Sequence, residues 1–169
     1  MITPDYARTM ARYNLWMNRT IYAAAARLSD AERKRDLGAF FESLHGTLNH
    51  ILVGDRLWLG RLTGRPASFP SLAHELCADF GDLERERGVT DDAIDALAAA
   101  LTPERLAAPL TYRTMIDPRT VTYPFDFALM HFFNHQTHHR GQATTLLMQL
   151  GVDPGLTDLI YLPGVEQTA

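Results

Sequence analysis

Apolar residues recur every three or four positions along four long segments of the chain, a spacing that places them on one face of an α-helix. The first segment covers about residues 4–28, with Thr3 placed to cap it and Pro4 suited to its first turn. Its apolar positions are Tyr6, Met10, Tyr13, Met17, Ile21 and Ala24. The second segment covers about residues 39–63 and ends at Gly64, a residue that favours a helix C-terminus. The pattern predicts two helices, each with one buried face.

The third segment has helical spacing from about residue 71 to residue 101. Gly88 lies inside it, and Thr90 or Asp91 would cap a new helix, so one long helix and two shorter ones both remain open. Residues 110–123 follow, with strand-forming residues on both sides of an Ile-Asp-Pro-Arg turn sequence. That arrangement predicts a short β-hairpin.

The fourth segment begins near Pro124 and ends at Gly151, and we expect the tail (152–169), which contains several Pro and Gly residues, to pack irregularly. Four long helices with short connections predict an all-α four-helix bundle, an architecture whose interior commonly carries metal sites. The 169 residues match the size of one domain, and we expect residues 1–169 to form it.

Composition narrows the classes of function. The formal net charge is −4 and the Lys and Arg residues are scattered, which argues against nucleic-acid binding. The N-terminus lacks a secretory pattern, and no apolar run is long enough to span a membrane, so we expect a cytoplasmic protein without a membrane partner. Cys77 is the single cysteine, which excludes an internal disulfide, and we expect it to pack as an inert side chain.

Histidines cluster in the fourth segment, where four of the seven in the chain fall within nine residues. They are His131, His135, His138 and His139. At 100° per residue all four project from one third of the helix surface, together with Gln142. Because Phe127 and Thr145 lie on the same stripe, we expect the stripe to face the core.

A divalent metal ion would explain such a stripe, since buried imidazoles must be neutral or partnered to avoid a desolvation cost. Two histidines at i, i+4 can direct two ring nitrogens at one ion. Spacing alone does not choose between the pair His131 and His135 and the pair His135 and His139.

The third ligand must come from another helix. His50 is the best candidate, because its apolar neighbours place it near the buried face of the second helix. His45 lies off that face, and His74 lies in a loop or a helix start. Three protein ligands with an open fourth position are typical of a catalytic zinc site, whereas a fourth ligand normally closes a structural site.

Three stretches of the chain carry a family resemblance. They are Tyr-Asn-Leu-Trp-Met-Asn-Arg at 13–19, Ser-Leu-His-Gly-Thr-Leu-Asn-His-Ile-Leu at 43–52 and Asn-His-Gln-Thr-His-His-Arg-Gly-Gln at 134–142. In these stretches the chain resembles the DinB/YfiT-like superfamily, which includes metal-dependent enzymes of the bacillithiol and mycothiol transferase type. The resemblance spans nearly the whole chain and is weakest over residues 66–123. It implies an up-down-down-up bundle and a homodimer.

The resemblance also implies a metal site, formed by one histidine of the second helix and an i, i+4 pair of the last. Carried over residue by residue, the ligands are His50, His135 and His139. We expect the residues beside them to orient the ligands or to pack; these are His131, His138, Asn134 and Gln142.

Three other residues carry weaker expectations. Arg140 points away from the histidine stripe, so we expect it to form a salt bridge or a dimer contact. Trp16 and Trp58 are expected to be core aromatic residues rather than platforms for substrate.

A zinc or nickel ion on three imidazoles would lower the pKa of bound water to about 7 or deprotonate a bound thiol. The first favours a hydrolase; the second favours a transferase that joins a low-molecular-weight thiol to a small-molecule substrate. No carboxylate stands out as a general base, which favours thiol transfer, and no catalytic residue is assigned. The alternative is a non-catalytic, metal-stabilised module that acts in a stress response or in binding.

Overall fold

The structure, a computed structural model, describes residues 2–166. Its helices are α1 (Pro4–Ala25), α2 (Asp30–Arg33), α3 (Leu44–Thr63), α4 (Phe80–Ala100), α5 (Pro103–Ala107) and α6 (Phe125–Gln149), and a 3₁₀ turn (Leu159–Tyr161) lies in the tail. Strands β1 (Pro109–Arg113) and β2 (Thr120–Pro124) form an antiparallel hairpin directly before α6. The four long predicted helices and the hairpin are confirmed.

The four long helices are arranged as a square, in which α1 and α3 each pack against α4 and α6. Helix α1 is antiparallel to α4, α3 is parallel to α4, and α3 is antiparallel to α6. The contacts Asn18–Asp91 and Tyr22–Phe80 fix the direction of α1 against α4. Asn49–Cys77 and Asp55–Arg87 fix that of α3 against α4. His50–His139 and Trp58–His131 fix that of α3 against α6. The bundle is therefore up-down-down-up.

The residues predicted to mark helix ends behave as expected at Thr3, Pro4 and Gly64. The Thr3 side chain accepts a hydrogen bond from the backbone N–H of Tyr6, and Pro4 occupies the first turn of α1. Gly64 ends α3 in the left-handed region, with φ of 73°. After α1, the Ser29 side chain caps the short helix α2.

Helix α3 begins at Leu44 rather than near residue 39. The Ser43 side chain caps it by accepting a hydrogen bond from the N–H of Gly46. Residues 39–42 form a tight turn instead, in which Glu42 adopts a left-handed φ of 64°. This turn brings the chain across the side of α3 that later carries the site.

Helix α4 begins at Phe80, after an Asp79 cap, rather than near residue 71. It continues through Gly88 as one helix, because neither predicted cap is available. The Thr90 hydroxyl donates to the carbonyl one turn back, and the Asp91 carboxylate accepts hydrogen bonds from α1.

A cluster of buried polar and charged side chains joins the four long helices. We call it the buried charge network; its members, each at most 4% exposed, are Asn14, Asn18, Asp55, Arg87, Asp91, Gln136 and Arg140. Asp55 accepts from Arg87 at 2.6 Å and from Gln136 at 3.0 Å. Asp91 lies 3.0 Å from Arg87 in an ion pair. Two carboxylates thus pair with the Arg87 guanidinium in the middle of the bundle, and the Arg140 guanidinium donates to Asn14 beside them.

Within residues 2–166, no helix is both long enough and apolar enough to cross a lipid bilayer.

Candidate metal centre

The histidine stripe of α6 borders the core instead of facing it. Its members His131 and His138, together with Phe127 and Thr145, are exposed, so the expectation of a buried stripe was wrong. The core face of α6 is formed by Phe125, Ala128, Leu129, Phe132, Phe133, Gln136, Ala143, Leu146 and Leu147. At 100° per residue that face is centred about 100° around the helix from the stripe. The stripe therefore lies at the edge where α6 meets α3.

Three histidines converge at this edge. His50 comes from α3, and His135 and His139 lie one turn apart on α6. Each offers a ring nitrogen within 4.8 Å of those of the other two, a group that could hold a metal ion. The ring centroid of His139 is 4.3 Å from that of His50 and 4.3 Å from that of His135. We call these three residues the histidine cluster.

Hydrogen bonds fix the tautomers of two of these rings. The Nδ1–H of His50 donates to the carbonyl oxygen of Leu72 at 2.8 Å. The Nδ1–H of His139 donates to Oε1 of Gln142 at 2.8 Å. Both acceptors are oxygens without a proton to give, so each neutral ring keeps its lone pair on Nε2.

The two lone pairs then face each other, because Nε2 of His50 lies 3.1 Å from Nε2 of His139. Two acceptors at this distance repel unless a cation lies between or beside them. Two zinc–nitrogen bonds of tetrahedral geometry place their nitrogens about 3.3 Å apart, close to the observed separation. Nδ1 of His135 is buried and finds no hydrogen-bond partner within residues 2–166. The donor set fits a divalent ion that prefers imidazole.

Burial keeps these imidazoles neutral. It lowers the pKa of His50 to about 4, and together with the neighbouring His139 it lowers the pKa of His135 to about 3. Burial also lowers the pKa of His139. Neutral imidazole is the form that binds a metal ion, so the cluster is ready for one at physiological pH.

Close backbone approach shapes the site in two places. A Cβ at Gly54 would lie 2.8 Å from Cε1 of His135, so glycine leaves the room that this ring needs. A Cβ at Gly46 would lie 2.2 Å from the carbonyl oxygen of Phe41, which allows the 39–42 turn to lie against α3. The Phe41 ring then stacks on His50, with centroids 3.8 Å apart. Neither glycine was predicted to shape the site, although a mid-helix glycine is a recognisable signal of close packing.

The other predicted neighbours of the cluster differ in position. Gln142 bonds to His139, as described, and the exposed ring of His138 lies 4.8 Å from the ring of His139. His131 packs against Trp58, with centroids 4.7 Å apart. Asn134 is exposed and makes no hydrogen bond to the cluster in the described structure.

His45 and His74 lie outside the cluster, as expected. His45 is nevertheless buried, which contradicts its predicted position off the buried face. It faces the segment before α4, where its Nε2 lies 2.9 Å from the carbonyl oxygen of Cys77. His74 is half-buried in the irregular segment between α3 and α4.

Arg140 was expected in a salt bridge or a dimer contact, and within residues 2–166 it forms no salt bridge. It is 3% exposed, donates to the side-chain oxygen of Asn14 and lies over the ring of Tyr13. At about 180° from His131, its position falls within the core face of α6. Trp16 packs against the core as expected, whereas the half-buried Trp58 also lines a cavity.

That cavity, of about 410 Å³, opens between α3, α6 and the hairpin. His131 and His135 of α6, Gly54 and Trp58 of α3 and Tyr112 of β1 line it. It therefore extends from the histidine cluster toward the hairpin and has room for a small molecule.

Comparisons with known proteins agree with the resemblance seen in the sequence. The family model described as the DinB family matches residues 1–168. A protein of Bacillus subtilis (strain 168) named "Protein DinB" is 27% identical over 165 residues, which cover 94% of each chain. With the helical bundle and the histidine cluster in place, and the match running over nearly the full length, the chain belongs to the DinB family.

Proposed function

We propose that the protein binds one divalent metal ion, zinc or nickel, on His50, His135 and His139 and transfers a small thiol to an electrophilic substrate. The observation that carries the metal proposal is the 3.1 Å approach of two Nε2 atoms that both bear lone pairs. A bound cation converts this repulsion into two favourable contacts, and Leu72 and Gln142 already hold the rings in the orientation required.

A catalytic role is supported by the access to the cluster. Three protein donors leave a coordination position for an exogenous ligand, and the cavity of about 410 Å³ reaches His135 from the hairpin side. When bound, the ion lowers the pKa of a thiol placed beside it. The thiol proton passes to solvent, the sulfur forms a bond to the electrophilic atom, and the leaving group departs with the electron pair.

The surrounding side chains support thiol transfer over hydrolysis. Hydrolysis needs a general base for water, and the cavity is lined by one carboxylate, Asp117, which lies beside Arg119 at the hairpin. Asp55 is nearer to the cluster in sequence but is fully buried and holds Arg87 and Gln136. A thiol needs no such base once its pKa is lowered.

Cobalt substitution tests this proposal. Addition of a small thiol to the cobalt-loaded protein should produce a sulfur-to-metal charge-transfer band. The experiment uses a Cys77→Ser background, since a protein thiol could give the same band. Burial raises the pKa of Cys77, and its backbone faces His45 and Asn49 rather than the cluster. The substitution should therefore leave metal content unchanged.

The outcomes separate the function classes. A thiol-dependent band, together with thiol-dependent turnover of an electrophile such as 1-chloro-2,4-dinitrobenzene, supports the transferase. A spectrum that ignores thiols, azide and imidazole indicates a closed site and a non-catalytic module. The metal-binding proposal itself is contradicted if the protein takes up no divalent ion at neutral pH.

A further inference from the structure

We infer that Arg61 forms an anion-binding subsite in the cavity beside His135, and that the thiol or its acceptor carries a carboxylate or phosphate that this guanidinium binds. The subsite rests on the proposed function, because the ligand's other end must reach the histidine cluster. It defines the substrate class of that site as small and anionic.

Arg61 lies on α3, and its side chain lines the cavity with Trp58, Tyr112 and His131. Its guanidinium carbon is 4.6 Å from the ring centroid of Trp58 and 4.4 Å from that of Tyr112. The centroids of these two rings are 5.5 Å apart and their planes are inclined by 70°, so both rings contact the guanidinium from neighbouring directions. They hold the group in place and leave its other side toward the cavity.

The N–H donors of this guanidinium have no partner in the part of the chain that the structure describes, because the Arg61 side chain forms no hydrogen bond and no ion pair there. The two comparable arginines near α3 differ, since Arg56 pairs with Glu86 and Arg87 pairs with Asp55. Burial also lowers the pKa of Arg61, which shows that the charge has lost part of its hydration. A partly desolvated guanidinium without an anion is a site that a ligand anion would complete.

The remaining charges of the cavity do not compete for this role. Arg119 and Asp117 lie 3.6 Å apart at the exposed tip of the hairpin and offset each other. Partial burial of the His131 ring and then the charge of Arg61 lower its pKa, which favours the neutral form. The inner cavity therefore carries one uncompensated positive charge, which favours an anion and disfavours a cation.

The spacing along α3 sets the size of the ligand. Gly54 contacts His135, and Arg61 lies two helical turns further along the same helix, a rise of about 10 Å. The Arg61 guanidinium leans back along α3 to Trp58, so a ligand whose sulfur reaches the cluster should place its anionic group about six to eight bonds away. A cavity of about 410 Å³ accommodates such a chain.

A length series of thiols tests the subsite. Straight-chain ω-mercapto acids of three, six, eight and eleven carbons are titrated into the cobalt-loaded Cys77→Ser protein, and each is compared with the ω-mercapto alcohol of equal length. The eight-carbon acid should bind at least about 10-fold more tightly than its alcohol, the value of one charge-assisted hydrogen bond. Arg61→Gln should abolish that difference, because it removes the charge that distinguishes the acid from the alcohol. The ω-mercapto alkyl phosphates distinguish phosphate from carboxylate as the preferred anion.

Arg113→Gln is the matched control. Arg113 lies on β1, next to Tyr112 but outside the lining of this cavity, and its replacement changes the net charge by the same amount. This variant should keep the preference for acids. A second measurement needs no metal: octanoate should bind the metal-free protein, by calorimetry, in preference to octanol and octylamine, and Arg61→Gln should remove that preference.

The two proposals fail differently. If no thiol gives a band, the proposed function fails, whatever octanoate does. If thiols bind but acids and alcohols of every length have equal Kd values, the subsite is overturned and the metal proposal stands. An equal loss of affinity in Arg61→Gln and Arg113→Gln would also overturn it, because general charge would then explain the preference.

Discussion

Two polar regions link α3 to α6, and they differ in the partners that their side chains find. The buried charge network joins Asp55 of α3 to Gln136 of α6, and the histidine cluster joins His50 to His139 of the same two helices. In the network, the carboxylates of Asp55 and Asp91 both pair with the buried guanidinium of Arg87. In the cluster, two lone pairs face each other and no side chain of the described residues separates them. The first region carries charges of both signs, although nitrogens of Arg87 and Arg140 and Oε1 of Gln136 find no hydrogen-bond partner within residues 2–166. The second region holds neutral imidazoles that could bind a cation.

The contrast indicates that the two regions have different roles, one in stability and the other in metal binding. A balanced buried network specifies how four helices pack, since each unpartnered member would be costly. A cluster of neutral imidazoles at the helix edge costs less to leave empty, because two of its three rings are only half-buried. Variants in the network should therefore change stability, and variants in the cluster should change metal affinity.

The largest expected effect follows from breaking the network. Asp55→Ala leaves Arg87 buried without its 2.6 Å partner, and it should lower the free energy of unfolding by about 3–5 kcal/mol. Urea denaturation measures this. Asp82→Ala, which removes an exposed ion pair with Arg85, is the control and should cost less than about 1 kcal/mol. Equal effects of the two substitutions would contradict a structural role for the network.

Removing a member of the cluster should weaken metal binding while leaving the fold intact. His50→Ala, His135→Ala and His139→Ala should each raise the metal Kd more than about 100-fold, beyond the loss known for residues that merely support ligands. Competition with a chromogenic chelator measures the Kd. His45→Ala and His74→Ala are controls that keep the metal, because neither lies in the cluster. Stoichiometric metal in His50→Ala would contradict the ligand set and make His131 the next candidate.

Gly54→Ala should change metal affinity without lowering the stability of the fold. The new Cβ would lie 2.8 Å from the His135 ring and displace it, so metal affinity should fall by about 10–100-fold. The metal-free protein should be as stable or gain up to about 1 kcal/mol, because alanine favours a helix interior. Gly88→Ala, on α4 with open space around its Cβ position, should leave metal affinity unchanged. Unchanged affinity in Gly54→Ala would show that the ring has room to spare.

The smallest expected effect is the pH dependence of the metal-free protein. Unfolded histidines take up protons near pH 6.5, whereas folded His50 and His135 resist them down to about pH 4 and about pH 3. The unfolded state therefore binds more protons as the pH falls through this window, and stability decreases. After allowance for solvent screening, the loss should be on the order of 1 kcal/mol per imidazole between pH 7 and pH 5. Thermal melts should show that the melting temperature of the wild type falls more steeply with decreasing pH than that of His135→Ala. Equal slopes of melting temperature against pH would contradict the lowered pKa of His135.

Local signals in the sequence predicted the helices better than their faces. Thr3 and Gly64 mark helix ends through their own backbone and side-chain chemistry, and both behave as expected. The turn containing Glu42 was missed, since its left-handed φ has no residue signal of the kind that glycine supplies. The orientation of α6 was also misjudged, although Phe132 and Phe133 already indicated a core face to one side of the histidines.

The ligand candidates depended on the family resemblance, because i, i+4 spacing fits two histidine pairs equally well. Long-range partners gave no signal at all. The Leu72 carbonyl that orients His50 belongs to an irregular segment, and any residue could supply it. In the network, the i, i+4 pair Arg87 and Asp91 was readable, but its connection to Asp55 depends on how α3 and α4 pack.

The parallel packing of α3 and α4 has a consequence for the integrity of the chain. Residues 64–79 must run back along the roughly 30 Å length of α3, and the stretch 65–70 within them has no regular structure. A protease cut there would leave two pieces with two long helices each. One piece would hold His50, and the other would hold Leu72, His135 and His139. Neither piece would hold all three histidines of the cluster. A metal ion bound to the cluster of a cleaved protein would therefore link the two pieces reversibly.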